Sequence, residues 1–391
     1  MKFDFDKVVD RHGTKCLKYD FAKERGRSDD MLPLWVADMD FPTAPGIQKS
    51  LSDAVAHGIY GYSEGKDDHF QAAAGWYEKH FGWKVEKEWL IKTPGVVFAL
   101  AMAVKAYTKE GDAVLLQQPV YYPFSEVITD NHRRLINSPL QQIDGHYEIN
   151  FEEFEQKIVE ENVKLFLMCS PHNPVGRVWK EWELRKIGDI CLKHNVLVVS
   201  DEIHSDFTYG ENIHHVFASL DEKYAAITTT CTAPSKTFNI AGLQISNIWI
   251  SNPELRARFR AEVTAAGYSQ VNLMGLVACQ AAYETGEEWL KELKIYLEGN
   301  LDYVRTFLKE NLPEIKLTEP EGTYLLWLDF KSLGMKEEQL KDLVENKAKL
   351  WLDSGAMFGP DGEGFERINI ACPREILKQA LTQLAEAVHD R

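Results

Sequence analysis

The chain has 391 residues, 45% hydrophobic and 27% charged, with a formal net charge of −16; at roughly 150 residues per domain, that length predicts two or three domains. The acidic balance argues against a phosphate-backbone partner, because nucleic-acid binding is driven by a basic face. Six scattered cysteines, Cys16, Cys169, Cys191, Cys231, Cys279 and Cys372, include no C-x-x-C pair, which predicts free thiols in a reducing compartment and no zinc site.

The opening stretch "MKFDFDKVVD" alternates charged and apolar residues and has no apolar core of a signal peptide. No uninterrupted apolar run reaches the roughly 18 residues that span a bilayer. A soluble cytoplasmic protein without membrane partners is therefore expected. "GYSEG" (61–65) fits the G-x-S-x-G pattern, but no buried strand precedes Ser63, so a hydrolase reading is set aside. "VVFALAMAVKAYTKEGD" (96–112) is apolar on every side at first, which predicts a deeply buried helix opening at Gly95 and ending at Gly111.

Short β-branched runs follow at "AVLLQQ" (113–118), "VKLFLMCS" (163–170), "NVLVVSD" (195–201), "AAITTTC" (225–231) and "ISNIWIS" (245–251). They alternate with helical patterns such as "EWELRKIGDICLKHN" (181–195), the signature of a largely parallel α/β sheet with both faces covered. The adjacent pair His214 and His215 is read as a surface loop, since neighbours on an extended chain point to different sides and cannot share a metal. No G-x-x-x-x-G-K-[ST] loop is present. Beyond about residue 285 come long charged amphipathic helices and the short strands "TYLLWLDF", "KLWLDSG" and "RINIACP". This predicts a large domain over 46–284 and a smaller α+β domain over 285–391 that recruits the N-terminal segment 1–45.

Ligands of open α/β sheets bind beyond the carboxyl ends of the strands. "PHNPVG" places Asn173 there in a proline-flanked turn, "DEIHSD" places Asp201 and His204, and "TAPSK" places Lys236. The helix start at Gly95 offers free backbone N–H groups and a positive dipole end to an anion. "QPVYYPF" adds Tyr121, an aromatic able to stack on a ring. An amine, a carboxylate, an amide and an anion cradle suit pyridoxal 5'-phosphate, which needs a lysine for its Schiff base and a carboxylate on its ring nitrogen.

The ordered set "TPGVV", "PVYYPF", "PHNPVG", "DEIHSD", "SKTFNIAG" and "RINIACPR" resembles the fold-type I pyridoxal-phosphate enzymes of the aminotransferase class I/II superfamily nearly end to end. The resemblance implies that Lys236 is the Schiff-base lysine, Asp201 the ring-nitrogen partner, Asn173 the donor to the phenolic oxygen and Tyr121 the stacking ring. Val96, Val97 and Ser235 would hold the phosphate, and Arg367 the substrate carboxylate through paired N–H groups. It also implies a homodimer with shared active sites, in which the "YGYSEG" region supplies a tyrosine to the other subunit, with Tyr62 favoured over Tyr60. His204 is a candidate cofactor contact.

Three positions depart from the aminotransferase pattern: Gln244 where an arginine is common, His204 where a tyrosine is common, and Ala233 where a hydroxyl is common, leaving Thr232 or Thr230 as substitutes. With "PLWVADMDF" (33–41), they are similar to the MalY/PatB group of cystathionine β-lyases, or C–S lyases, in which the backbone at Ala37 lies near the substrate carboxylate. The resemblance implies α,β-elimination from L-cystathionine or cysteine S-conjugates to a thiol, pyruvate and ammonia. Lys236 would take the Cα proton, and Lys236 or a tyrosine hydroxyl would protonate the leaving thiolate. An aminotransferase is the first alternative, and a regulatory protein keeping the same fold is the second.

Overall fold

Seven short strands build the central sheet: β1 Leu90–Thr93, β2 Ala113–Leu116, β3 Arg134–Asn137, β4 Val163–Cys169, β5 Leu197–Asp201, β6 Thr228–Thr232 and β7 Ser246–Trp249. Their order is β1-β7-β6-β5-β4-β2-β3. In this computed structural model, which describes residues 2–391, β7 is antiparallel to β1 and β6, and the other pairs are parallel. The five expected strands are all in this sheet. Expectation missed β1 and β3, the two edges, where "LIKT" and "RLIN" carry the polar residues that an edge tolerates.

Both faces are covered, as continuous apolar strands require. On one face α1 Val96–Tyr107 packs with α3 Pro253–Ala265, burying Ala99, Leu100 and Phe259 against Val199, Cys231 and Ile248. On the other, α2 Glu181–Lys193 sets Leu184, Ile187 and Cys191 against Phe166, Met168 and Val198. The first of these helices stops at Tyr107, short of Gly111. Thr108 turns to extended backbone there, and its hydroxyl donates to the Val104 carbonyl at 2.5 Å. Gly111, at φ 82°, serves the turn into β2 instead.

An antiparallel sheet follows, in the order β8-β9-β11-β10: β8 Lys316–Thr318, β9 Leu325–Asp329, β10 Asp353–Ser354 and β11 Phe365–Asn369. It is backed by the long helix α4 Glu287–Asn311 and the last helix, α5 Arg374–His389. The long helix buries Leu290, Leu293, Leu297, Leu301, Val304 and Leu308, a stripe at helical spacing. The N-terminal residues lie against these elements. Leu32–Pro33 pairs in parallel with Leu350–Trp351, Trp35 stacks on Trp351 at 4.5 Å, and Phe5 packs edge-on against Phe41 and Trp289.

One expectation fails here. His214 is buried, with Nε2 2.9 Å from the buried Glu202 carboxylate, while His215 remains partly exposed. The alternation of neighbours was correctly anticipated; the depth of the loop was not. Among the described residues no cluster of His, Cys, Asp or Glu is arranged to hold a metal, and no helix is long and apolar enough to cross a membrane.

Candidate active site

The carboxyl ends of β4, β5 and β6 and the start of the helix Val96–Tyr107 converge on a cavity of about 380 Å³. Ala37, Gly95, Val96, Val97, Tyr121 and Asn173 line it, joined by Asp201, His204, Ser235, Lys236 and Gln244.

Lys236 sits in a single helical turn, Pro234–Thr237, directly after β6. The Thr237 hydroxyl anchors that turn by donating to Asp206 at 2.6 Å, and Asp206 also accepts from the Trp76 indole at 3.0 Å. The Lys236 amine donates to the Ala37 carbonyl at 2.8 Å. Burial pulls it down to about 8, with Arg367 acting in the same direction and Asp38 and Asp201 opposing. A buried ammonium is disfavoured more than these carboxylates favour it, so the amine is poised to lose its proton near neutrality.

Asp201, the last residue of β5, is 6% exposed. Its Oδ1 accepts from the Ile203 N–H at 3.1 Å, and no cation pairs with it among the described residues. Burial pushes its carboxyl up to about 7, against the pull of Ile203 N–H and Lys236. A buried carboxylate with no cation bonded to it is a receptor for a cationic N–H.

Asn173 leaves the turn "SPHNPVGR", in which the Ser170–Pro171 and Asn173–Pro174 peptides are cis. Gly176, at φ 73°, lets its carbonyl accept from the N–H groups of Glu321 and Gly322 at 2.8 and 2.9 Å, which pins the turn. The Asn173 Oδ1 accepts from Arg367 Nη1 at 3.0 Å. That bond commits the carbonyl end of the amide and leaves the Nδ2 donors for the cavity. The amides of Val96 and Val97 open their helix with no side-chain cap. A Cβ at Gly95 would meet no atom of the described residues within 4 Å, so the space before this helix start is open. The His204 Nδ1 is buried without a partner, and burial, with Lys236 and Arg367, pulls its imidazole down to about 3.

The residues present therefore fit pyridoxal phosphate. They offer an amine for the aldehyde, a carboxylate for the ring nitrogen, an amide donor for the phenolic oxygen and an uncapped helix start for the phosphate. Tyr121, held by its N–H on the Asn173 carbonyl at 3.0 Å, packs against Tyr122 at 5.0 Å on the cavity wall.

Two expected residues stand elsewhere. Arg367 is 2% exposed and does not line the cavity; it lies behind Asn173, bonded to Asp353 and, at 2.8 Å, to the Trp35 carbonyl. Its Nε has no acceptor among the described residues. Tyr62 is 96% exposed and lines an outer cleft with Tyr60 and residues 267–274; this cleft shares Pro94 and Gln244 with the inner cavity. Thr230 and Thr232 do not replace the missing hydroxyl at Ala233. Alternation along β6 puts Cys231 on the side of the helix Val96–Tyr107 and turns Thr232 away, where it donates to the Asn247 carbonyl at 2.9 Å.

Sequence reasoning missed the clamps on the segment that carries Ala37. Asn239 Nδ2 donates to the carbonyls of Met39 and Phe41, and its Oδ1 accepts from Met39 N–H, at 2.8 to 2.9 Å. Asn369 donates to the carbonyls of Val36 and Asp38, both at 2.6 Å. The Tyr324 hydroxyl donates to the Ala37 carbonyl at 3.0 Å. Asn239 was visible as the polar residue inside "SKTFNIAG", and its φ of 54° is one that asparagine tolerates.

The family model described as aminotransferase class I and II matches residues 29–384. Cystathionine beta-lyase PatB of Bacillus subtilis is 43% identical over 385 residues, covering 98% of this chain and 100% of its own. Protein MalY of Escherichia coli is 34% identical over 389 residues, covering 99% of each. The crystal structure of cystalysin from Treponema denticola, which contains a pyridoxal 5'-phosphate cofactor, superposes with a TM-score of 0.96 at 39% identity, covering 100% of both chains.

Proposed function

The chain belongs to the aminotransferase class I and II family, and we propose that it is a pyridoxal-phosphate-dependent carbon–sulfur lyase of the cystathionine β-lyase type. Its substrates are L-cystathionine or related cysteine S-conjugates, split by α,β-elimination to a thiol, pyruvate and ammonia. The observation that carries the reading is the pairing, in one cavity, of the low-pKa amine of Lys236 with the buried carboxylate of Asp201, whose one bond among the described residues is from the Ile203 N–H. The likeness to PatB and cystalysin supports the lyase outcome.

Bound here, pyridoxal phosphate supplies an electron sink for the pair left at Cα when its proton departs. Lys236 carries the cofactor, and its freed amine, neutral near pH 8 and above, takes the Cα proton. Asp201 holds a proton at the ring nitrogen, which keeps the sink deep. Tyr121 closes one wall of the cavity; burial raises its hydroxyl, so it stays protonated and can donate to the departing thiolate, as can Lys236. The Ala37 segment orients the substrate carboxylate, and Arg367, bonded to the Asn173 Oδ1 from behind the cavity wall, holds that amide in place. Gln244, uncharged, leaves the phosphate to Val96, Val97 and Ser235, with the helix dipole answering its charge. Tyr62 reaches the site of a second copy in a homodimer, a reading supported by its near-complete exposure beside the exposed Ile59 and Tyr60.

The test is incubation of the holoenzyme with L-cystathionine in the absence of any keto acid. Release of thiol and pyruvate is expected. Turnover that appears only on adding a keto-acid acceptor would establish transamination instead.

A further inference from the structure

Of the described residues 2–40, Ala37 alone lines the cavity, yet these residues hold an ion cluster behind it. Arg11 grips the Asp38 carboxylate through both terminal nitrogens, at 3.1 and 2.7 Å, and reaches Asp40 at 2.7 Å. Lys18, fully buried, donates to Asp40 at 2.7 Å and stands 3.8 Å from Asp38. The Tyr19 hydroxyl adds a donor to Asp40 at 3.2 Å. Two cations and two carboxylates leave the cluster neutral, and a buried cluster persists only when its charges are so matched.

The segment gripped is the one whose Ala37 carbonyl accepts from Lys236. Asp38 is the next residue, and its carboxylate has the largest upward pull on the Lys236 amine, ahead of Asp201. The other charged or titratable groups facing that amine are Asp201 at the end of β5, His204 on the loop beyond it and Arg367 on β11. Tyr324 shares the Ala37 carbonyl, and Tyr121 stands on the cavity wall. Asp38 is the one carboxylate in this set already bound to a cation outside the cavity, so the field it exerts on Lys236 is the remainder after Arg11.

We propose that Asp38 and Arg11 are positioning residues for the proton-transfer step: Arg11 fixes and partly neutralises Asp38, and Asp38 sets how firmly Lys236 holds its proton. Neither side chain lines the cavity. The inference rests on Lys236 as the base of the reaction proposed above. Removing the Arg11 charge leaves only Lys18, at 3.8 Å, to offset the field of Asp38, and the amine holds its proton more firmly. Removing the Asp38 charge has the opposite effect. The base must be unprotonated to act, so the acid limb of kcat follows the amine.

The experiment uses Arg11→Met, Asp38→Asn and Arg11→Lys holoenzymes, assayed for thiol release from L-cystathionine across pH. The pH midpoint of the cofactor's visible absorbance, without substrate, gives a second readout. Both side chains are about one-fifth exposed, and Arg11→Lys and Asp38→Asn keep the shape of the cluster. The acid limb and the absorbance midpoint should both rise by about half a unit in Arg11→Met and fall by about half a unit in Asp38→Asn. Arg11→Lys should restore both. Shifts of the same sign in the two charge-removing variants, or none, with Lys236→Ala inactive, would overturn this inference alone. An active Lys236→Ala enzyme would overturn it together with the assignment of the base.

Discussion

Burial pushes both Asp201 and Lys236 toward their neutral forms, and each shift has a measurable pH signature. The folded-state value of about 7 for Asp201 lies above the 3.8 of an ordinary carboxyl. The folded protein therefore binds that proton more tightly than the unfolded chain. Its ionisation costs nothing below about pH 4, costs progressively more as pH rises, and reaches its full cost above pH 7, on the order of 4 kcal/mol at most. Lys236 has the mirror behaviour. Its folded value of about 8 lies below 10.5, so its cost is complete below pH 8 and gone above 10.5. The two costs overlap near pH 7 to 8. In protein stripped of cofactor, Asp201→Asn should raise the melting temperature at pH 8 and leave it unchanged at pH 4. Adding pyridoxal phosphate to the wild type should raise it most near pH 7 to 8, because the ring nitrogen and aldehyde engage both groups. Equal effects of Asp201→Asn at both pH values would show that the carboxylate has a counter-charge. Catalytically, Lys236→Ala should lower kcat by about 10²–10⁴-fold or more, since base and anchor are lost together.

At the scale of elements, the site depends on a segment with no regular structure of its own. Residues 34–41 are held by side-chain amides: Asn239 through three bonds to Met39 and Phe41, and Asn369 through two donors at 2.6 Å to the Val36 and Asp38 carbonyls, its own oxygen accepting from Ala371 N–H at 2.7 Å. Asn369→Ala strips these partners from a residue that is 1% exposed. It should cost roughly 1–3 kcal/mol by chemical denaturation and raise KM for L-cystathionine more than it lowers kcat, because the Ala37 carbonyl loses its position. A kcat loss with KM intact would place the segment's role in the chemistry instead. This clamp marks the limit of what the sequence discloses. The strands and the buried helix were legible because their periodicity and apolar runs are local, and Asn173, Asp201 and Lys236 were legible because each follows such a run. Asn369 and Asn239 act through pairings 198 to 333 residues apart in the chain, which no local pattern encodes. The burial of His214 under Glu202 and the capture of Arg367 by Asp353 span only 12 and 14 residues, yet each joins separate strands or loops whose approach the fold sets, so neither was foreseeable.

Considered whole, the molecule presents to solvent a stretch that a lone chain would not keep apolar. Ile59, Tyr60 and Tyr62 are 67%, 61% and 96% exposed, and the cleft that the two tyrosines border opens beside the inner cavity through Pro94 and Gln244. A patch of this kind marks a surface that another molecule covers. We propose that a second copy covers it, with residues 46–284 as the large domain carrying this face, and residues 1–45 with 285–391 as the smaller one carrying Arg367 and the Ala37 segment. In a twofold arrangement each site would combine Lys236 of one copy with Tyr62 of the other. That geometry makes a quantitative prediction. Lys236→Ala and Tyr62→Ala proteins, each inactive or nearly so alone, are mixed, unfolded and refolded together. Half of the dimers are then mixed, and each of these has one site with both defects and one site with neither, so about a quarter of wild-type activity should return. Light scattering should give twice the mass of the 44.7 kDa chain. A dimer that shows no recovery would mean that Tyr62 serves its own chain or none. A monomer that retains full activity would remove the shared site altogether.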